Sequence, residues 1–158
     1  MAEEKRHQTR VTIVTPYTNF FESKADSVTL PSQDGSVGIM AGHMPLVIAL
    51  FPGICSIRIG DETKYCVITE GYAEIGQHMV LIVSNSAEWP EDIDIRRAYI
   101  SYKANEDLLK QTDPKELIKV GNIKEKLNRA NARLHLIELY GNEQQKALLE
   151  SLRNDTAN

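Results

Sequence analysis

Apolar and polar positions alternate over the first half of this chain and recur every three or four residues over the second. Residues 9–15 (Thr-Arg-Val-Thr-Ile-Val-Thr) alternate in strand fashion and stop at Pro16. Residues 25–30 end at Pro31 and lead into an Asp34-Gly35 turn. A short apolar run at 47–50 is closed by Phe51-Pro52-Gly53, residues 54–59 alternate again, and a turn at 60–63 feeds residues 64–69. That last pair reads as a hairpin. Residues 71–75 and 79–83 supply two more strands around Gly76-Gln77. Short strands at regular spacing with glycine turns predict an antiparallel sandwich or barrel, and alternation alone leaves both open.

Trp89-Pro90 ends the β pattern. Asp92 is the expected N-cap of a first helix over residues 93–110, with Asp94 in its first turn, where a carboxylate suits the positive helix end. Ile95, Ala98, Tyr99, Tyr102 and Leu109 gather on one side of that helix. Asp113-Pro114-Lys115-Glu116 predicts a second helix from Pro114, and Gly121-Asn122 predicts a kink or break in it. Ile123, Leu127, Ala130, Leu134 and Ile137 then form an apolar stripe with Lys119, Lys126, Arg129 and Arg133 along its edge. Gly141-Asn142 reads as a C-cap, and residues 144–153 as a short final helix.

Composition divides the chain at the same place. Seven of the nine glycines lie between Gly35 and Gly76, which predicts a β domain at 1–88 and a helical hairpin at 89–158. Residues 1–90 hold ten acidic and six Lys/Arg side chains, against twelve of each over 91–158, so the net charge of −4 argues against a nucleic-acid domain. No apolar run approaches the roughly 20 residues that span a bilayer, and the polar start at 1–10 has no apolar core of a secretory signal. A cytoplasm-like compartment is expected, in which Cys55 and Cys66, on neighbouring strands, stay free and buried rather than bonded.

His43 sits among the bends of 35–46 and has three readings: a turn histidine bonding nearby backbone, a residue that meets a partner, or a metal or catalytic group. None of the four histidines pairs with another at ligand spacing, and the cysteines make no CxxC. The stripe on the second helix has two readings as well. It can pack the hairpin on the sandwich with its charges solvated, or dock elsewhere with its basic edge against acidic residues. Asp94 and Arg97, three apart, are either an exposed ion pair or part of a ligand site.

The pattern GxxGIxxGHxPL over residues 35–46 resembles the N-terminal domain of epsilon subunits of F-type ATP synthase. The resemblance covers roughly residues 9–88 and implies an all-β N-terminal sandwich plus a C-terminal antiparallel two-helix hairpin, an α+β chain of two domains. It also implies a place at the foot of the central stalk beside the gamma subunit. The loop carrying Ser36, Gly38, Gly42 and His43 would face the membrane-embedded c-ring. Ser36 stands where many members have Glu and Ala41 where many have Pro, so a charge contact from position 36 is lost.

Residues 132–139 (Ala-Arg-Leu-His-Leu-Ile-Glu-Leu) are similar to the second helix of the same family. The family's hairpin either folds down or extends along gamma into the ring of alpha and beta subunits. Extended, it blocks ATP hydrolysis, with a basic edge (here Lys119, Lys126, Arg129 and Arg133) facing an acidic segment of beta. Ile93-Asp94-Ile95-Arg96-Arg97-Ala98 matches the (I/L)DxxRA signature of members whose folded hairpin binds ATP. The match implies a regulatory site of Ile93, Asp94, Arg97 and Ala98, with Arg129 and Arg133 on the phosphates and Glu88 on the adenine side. A further basic position of the first helix is Ala104 here, with Lys103 adjacent.

The expectation is a bacterial, non-catalytic subunit, peripheral on the cytoplasmic face of the cell membrane. It needs no cofactor, takes ATP as a regulatory ligand and binds no nucleic acid. No GxxxxGK[ST] phosphate loop appears. The polar start and the tail after Gly141 exceed the usual family limits. Two rivals stand beside this reading: a free-standing nucleotide-sensing β-sandwich adaptor, and a small hydrolase centred on His43 and Glu70.

Overall fold

The computed structural model describes residues 7–157, so most of the polar start at 1–10 lies outside the described residues. The chain divides after Glu88 into two compact units. In the first, ten strands form two five-stranded sheets. The strands are β1 (Thr9–Val14), β2 (Asn19–Ala25), β3 (Ser27–Ser32), β4 (Gly35–Met40), β5 (Leu46–Leu50), β6 (Gly53–Ile59), β7 (Glu62–Ile68), β8 (Gly71–Ile75), β9 (Met79–Ser84) and β10 (Ala87–Glu88). One sheet has the order β2-β1-β9-β8-β5 and the other β10-β7-β6-β3-β4, which is a sandwich.

Alternation supplies the core. Val11, Ile13, Val80 and Ile82 from one sheet, and Val28, Ile39, Cys55 and Ile57 from the other, are completely or almost completely buried. The two-residue turn Gly60-Asp61 joins β6 to β7 in the register Ile59↔Glu62, shorter than the four-residue turn the sequence suggests. That register sets Cys55 directly opposite Cys66. Both are free and buried, as expected. A hydrogen bond with Cys66, then burial, holds the Cys55 thiol well above its usual range.

Two features depart from the expected antiparallel pattern. Strands β1 and β9 pair in parallel, Arg10↔Met79 through Val14↔Val83, because β1 enters the sheet between its hairpin partner β2 and the distant β9. Strand β2 was not legible: its side chains are exposed or half-buried apart from Ala25, so Phe20-Phe21-Glu22 carries no clean alternation.

The second unit holds three helices, α1 (Ile95–Gln111), α2 (Leu117–Tyr140) and α3 (Glu143–Asp155). Groups from α1 and α2 line common grooves, Tyr102 with Asn131 and Leu108 with Ile123, so the two helices run antiparallel. The expected hairpin is present, and α3 adds a third rod to it.

Helix α2 ends at Tyr140 with Gly141 as its C-cap, as expected, while the other helix boundaries move slightly. Pro90–Asp92 is a single 3-10 turn, and Asp94 rather than Asp92 caps α1, its Oδ1 accepting from the Arg97 N–H at 3.0 Å. At Asp113-Pro114 the side chain folds back to accept from Lys115 N at 2.9 Å, and Glu116 leaves helical geometry with ψ 66°. Helix α2 therefore starts at Leu117 and not at Pro114. It then runs through Gly121-Asn122 as one helix, so of the expected kink or break the break is absent. Gly141 follows α2 in extended geometry (φ −66°, ψ 159°), not the left-handed conformation of a glycine C-cap. Its need for glycine is closeness: a Cβ there would lie 2.5 Å from the Ile137 carbonyl oxygen. Asn142 and Gln145 open α3 with a reciprocal capping box.

Candidate functional site

The conspicuous segment 35–46 is mostly strand. Ser36 pairs with Pro31 and Gly38 with Thr29 along β4, an edge of its sheet. The bend falls at Ala41-Gly42, where Gly42 takes φ +84° and donates its N–H to the Gln77 carbonyl at 2.7 Å. His43 is half-buried and turns its Nδ1 to the Met44 carbonyl at 2.8 Å, with its N–H on the Met40 carbonyl. That is the turn-histidine reading. Among the described residues no group of three or more His, Cys, Asp or Glu side chains could hold a metal ion.

Around this turn the surface is apolar. Met44 is 78% exposed and Val47 65% exposed, with Met40 and Leu46 also exposed. The apolar run 47–50 thus lies in an edge strand with Val47 and Ala49 exposed, Ile48 half-buried and Leu50 buried.

In the helical unit, Asp94 spends one carboxylate oxygen on its own helix cap, and its contact with Arg97 runs to the backbone and not to the guanidinium. Arg97 lies about 160° around α1 from both Ile95 and Tyr99, which are buried, so Arg97 is exposed on the opposite side. Ile93 and Ala98, expected at the ligand, are buried packing residues. On α2, Arg133 Nη1 donates to the Arg129 carbonyl at 3.4 Å, and Arg129 Nη2 stands 3.9 Å from Glu125. No hydrogen bond or ion pair joins Asp94 or Arg97 to either of these arginines. Glu88 pairs with Val67 at the end of the sandwich, as part of β10.

The stripe of α2 is buried at Ile123, Ala130, Leu134 and Ile137, and half-buried at Leu127. Ala132 and Leu136 are buried as well, so the lower half of α2 is covered on more than the expected side. Its upper end is open. Leu117 is 77% and Ile118 84% exposed beside a groove of about 780 Å³, lined also by Leu108, Ile123, Lys119 and Lys126. Two members of the predicted basic edge thus rim an apolar groove at the hairpin tip. Lys119 holds Glu116 at 3.4 Å. The apolar stripe read from the sequence begins at Ile123, so Leu117 and Ile118 lie outside it.

A second cluster sits where α3 meets the hairpin. Arg153 Nη1 donates to Glu138 Oε1 at 3.1 Å, while His135 Nδ1 lies 3.6 Å from Glu138 Oε2. The Arg153 hydrogen bond lowers the Glu138 carboxyl pKa below the usual range, and the charges of Arg153 and His135 add to it. Lys103 bonds Glu106 at 2.9 Å, lowering the pKa of the acid and raising that of the ammonium.

A β-sandwich with an apolar edge strand and a separate antiparallel helical unit defines a two-module architecture, and among the described residues no helix is long and apolar enough to cross a bilayer. The family model for the delta/epsilon chain β-sandwich domain of ATP synthase matches residues 8–90. This chain belongs to the ATP synthase epsilon chain family. An epsilon chain of Caldicellulosiruptor saccharolyticus is 34% identical over 126 residues, covering 80% of this chain and 90% of that relative. One of Ruminiclostridium cellulolyticum is 38% identical over 125 residues, covering 77% and 90%. Among solved structures, a chain in the cryo-EM structure of the Euglena gracilis mitochondrial ATP synthase, OSCP/F1/c-ring, has the same fold. Its TM-score is 0.69 at 20% identity, covering 80% of this chain and 79% of that one.

Proposed function

We propose that this chain is a non-catalytic central-stalk subunit that couples a rotating gamma subunit to a c-ring and restrains ATP hydrolysis through its helical unit. The Gly42–His43 turn and the apolar β5 edge are the surface offered to the rotor. The hairpin tip is the inhibitory element, entering a ring of alpha and beta subunits when the helices extend. The observation that carries the inhibitory part is the exposed Leu117-Ile118 pair, which lines one groove with Lys119 and Lys126. An apolar groove with cationic edges fits an amphipathic acidic segment and is costly to leave in water. The subunit then acts from the cytoplasmic face of a bacterial membrane without entering it.

ATP is proposed as a regulatory ligand that is bound and not hydrolysed. Arg129 and Arg133 take its phosphates from α2, while Asp94 and Arg97 reach it from the start of α1. ATP at tenfold over Kd would favour the closed unit by about 1.4 kcal/mol. That shifts a closed-to-extended ratio about tenfold.

Two measurements test this. A complex rebuilt with a chain ending at Glu88 should hydrolyse ATP faster than one with the full chain. An equal rate removes the inhibitory role. Titration of the full chain with ATP should move the amide resonances of residues 94–98 and 129–133 together and lose this response in Arg133→Ala. Silence at millimolar ATP removes the ligand.

A further inference from the structure

Helix α3 touches every other part of the helical unit. Its first turn reaches the segment ahead of α1, where Gln145 Nε2 donates to the Pro90 carbonyl at 2.7 Å. Its middle buries Leu149, which is 2% exposed, with Leu148 and Leu152 half-buried beside it. Its last turn holds α2 through Arg153 and Glu138 at 3.1 Å. Just beyond, the Thr156 hydroxyl is hydrogen-bonded to the Tyr99 hydroxyl of α1. A 13-residue helix with one buried leucine would be marginal alone in water, so these contacts are what keep it formed.

The contacts also have a direction. Glu138 lies about 180° around α2 from Arg129 and about 140° from Arg133. The arginine side of α2 and the α3 side are therefore different faces of one helix. Whatever binds the arginines does so without displacing α3. For α1 to leave α2, in contrast, either Tyr99 must release Thr156 and Pro90 must release Gln145, or α3 must come away from Glu138 with Leu149 exposed.

We propose that α3 is a strap that closes the α1–α2 hairpin from the face opposite the arginines and sets how readily the two helices part. The proposal rests on the reading that the helical unit opens in use, and it adds the element that resists opening. The strap and a ligand on the arginine face favour the same closed state from two sides, so their effects combine without competition for a site.

Hydrogen exchange of the full chain in the absence of nucleotide tests it. Leu149→Ala should speed exchange of the α1 amides at residues 99–106 by at least about tenfold, since opening free energies set amide protection. The amides of β8 and β9 should keep their rates. Thr156→Val is the milder companion, and should speed the same α1 amides about fivefold, the ratio that one ordinary hydrogen bond supports. If Leu149→Ala unfolds the whole helical unit, Thr156→Val decides alone. Fast exchange confined to α3, with α1 at wild-type protection in both variants, would overturn the strap. Neither readout involves ATP or its hydrolysis, so this failure and that of the inhibitory reading are told apart.

Discussion

At the scale of single residues, close backbone approach and hydrogen-bonded charge matter more than residue type. Gly71 shows the first. A Cβ on it would meet the Val83 carbonyl oxygen at 1.9 Å and Ser84 Cα at 2.9 Å, both backbone atoms of the neighbouring strand. Gly71→Ala should therefore destabilise the sandwich by about 3 kcal/mol, as overpacking a well-filled interior does. Denaturant titration of the full chain measures it. Glu138 shows the second. Its folded pKa is depressed, so its interaction with Arg153 and His135 contributes above the ordinary carboxylate pKa of about 4.3 and is lost as pH falls through the folded value. Helical-unit stability should fall on acidification from pH 6 to 3 more steeply in the natural chain than in Glu138→Gln, followed by far-ultraviolet circular dichroism. The facing cysteines give a third test. Buried on facing strands, they should resist alkylation in the folded chain, and both should react once denaturant exposes them.

At the scale of elements, strands with one face inward were legible and those without were not. Residues 9–14, 53–59 and 71–75 alternate because one side of each faces the other sheet. Strand β2 lies at an edge with little inside, so its sequence had no period to read. Strand β5 carries its apolar run at a sheet edge, where Leu46, Val47 and Ala49 are exposed and Leu50 is buried. The helices were legible as helices, but their ends depend on local hydrogen bonds that spacing does not rank, such as Asp94 over Asp92 and the Asp113 turn over a Pro114 start. Of the candidate site, the motifs were legible residue by residue, while the exposed side of Arg97 and the capping duty of Asp94 depend on where α1 begins. Gly121 follows from the same reasoning. It lies inside a continuous helix, and nothing within 4 Å would meet a Cβ there. Gly121→Ala should raise the stability of the helical unit by about 1 kcal/mol, the difference in helix propensity. A thermal transition that moves down would mean that the glycine's backbone freedom is used.

At the scale of the whole molecule, the division after Glu88 is itself a physical claim, because each unit has its own buried set of side chains. The point of division is sharp. Between Ser84 and Glu88 the chain is still bound into the sandwich: Ser84 Oγ accepts from Thr69 N at 3.0 Å, Ser86 N donates to Thr69 Oγ1 at 2.9 Å, and Ala87 and Glu88 pair with Ile68 and Val67. Ser84 and Thr69 are buried, so their polar groups depend on these partners. A chain ending at Glu88 should therefore unfold in one cooperative transition with the sandwich intact. One ending at Asn85 removes the Ser86 contacts and the β10 ladder, and leaves the Thr69 hydroxyl without its Ser86 partners. Its stability should be lower by roughly 2 kcal/mol, about two ordinary hydrogen bonds. Equal midpoints for the two truncated chains would show that the last strand lends the sandwich nothing. The boundary would then belong several residues earlier, and a rotor contact made by the sandwich alone would have to survive that shorter cut as well.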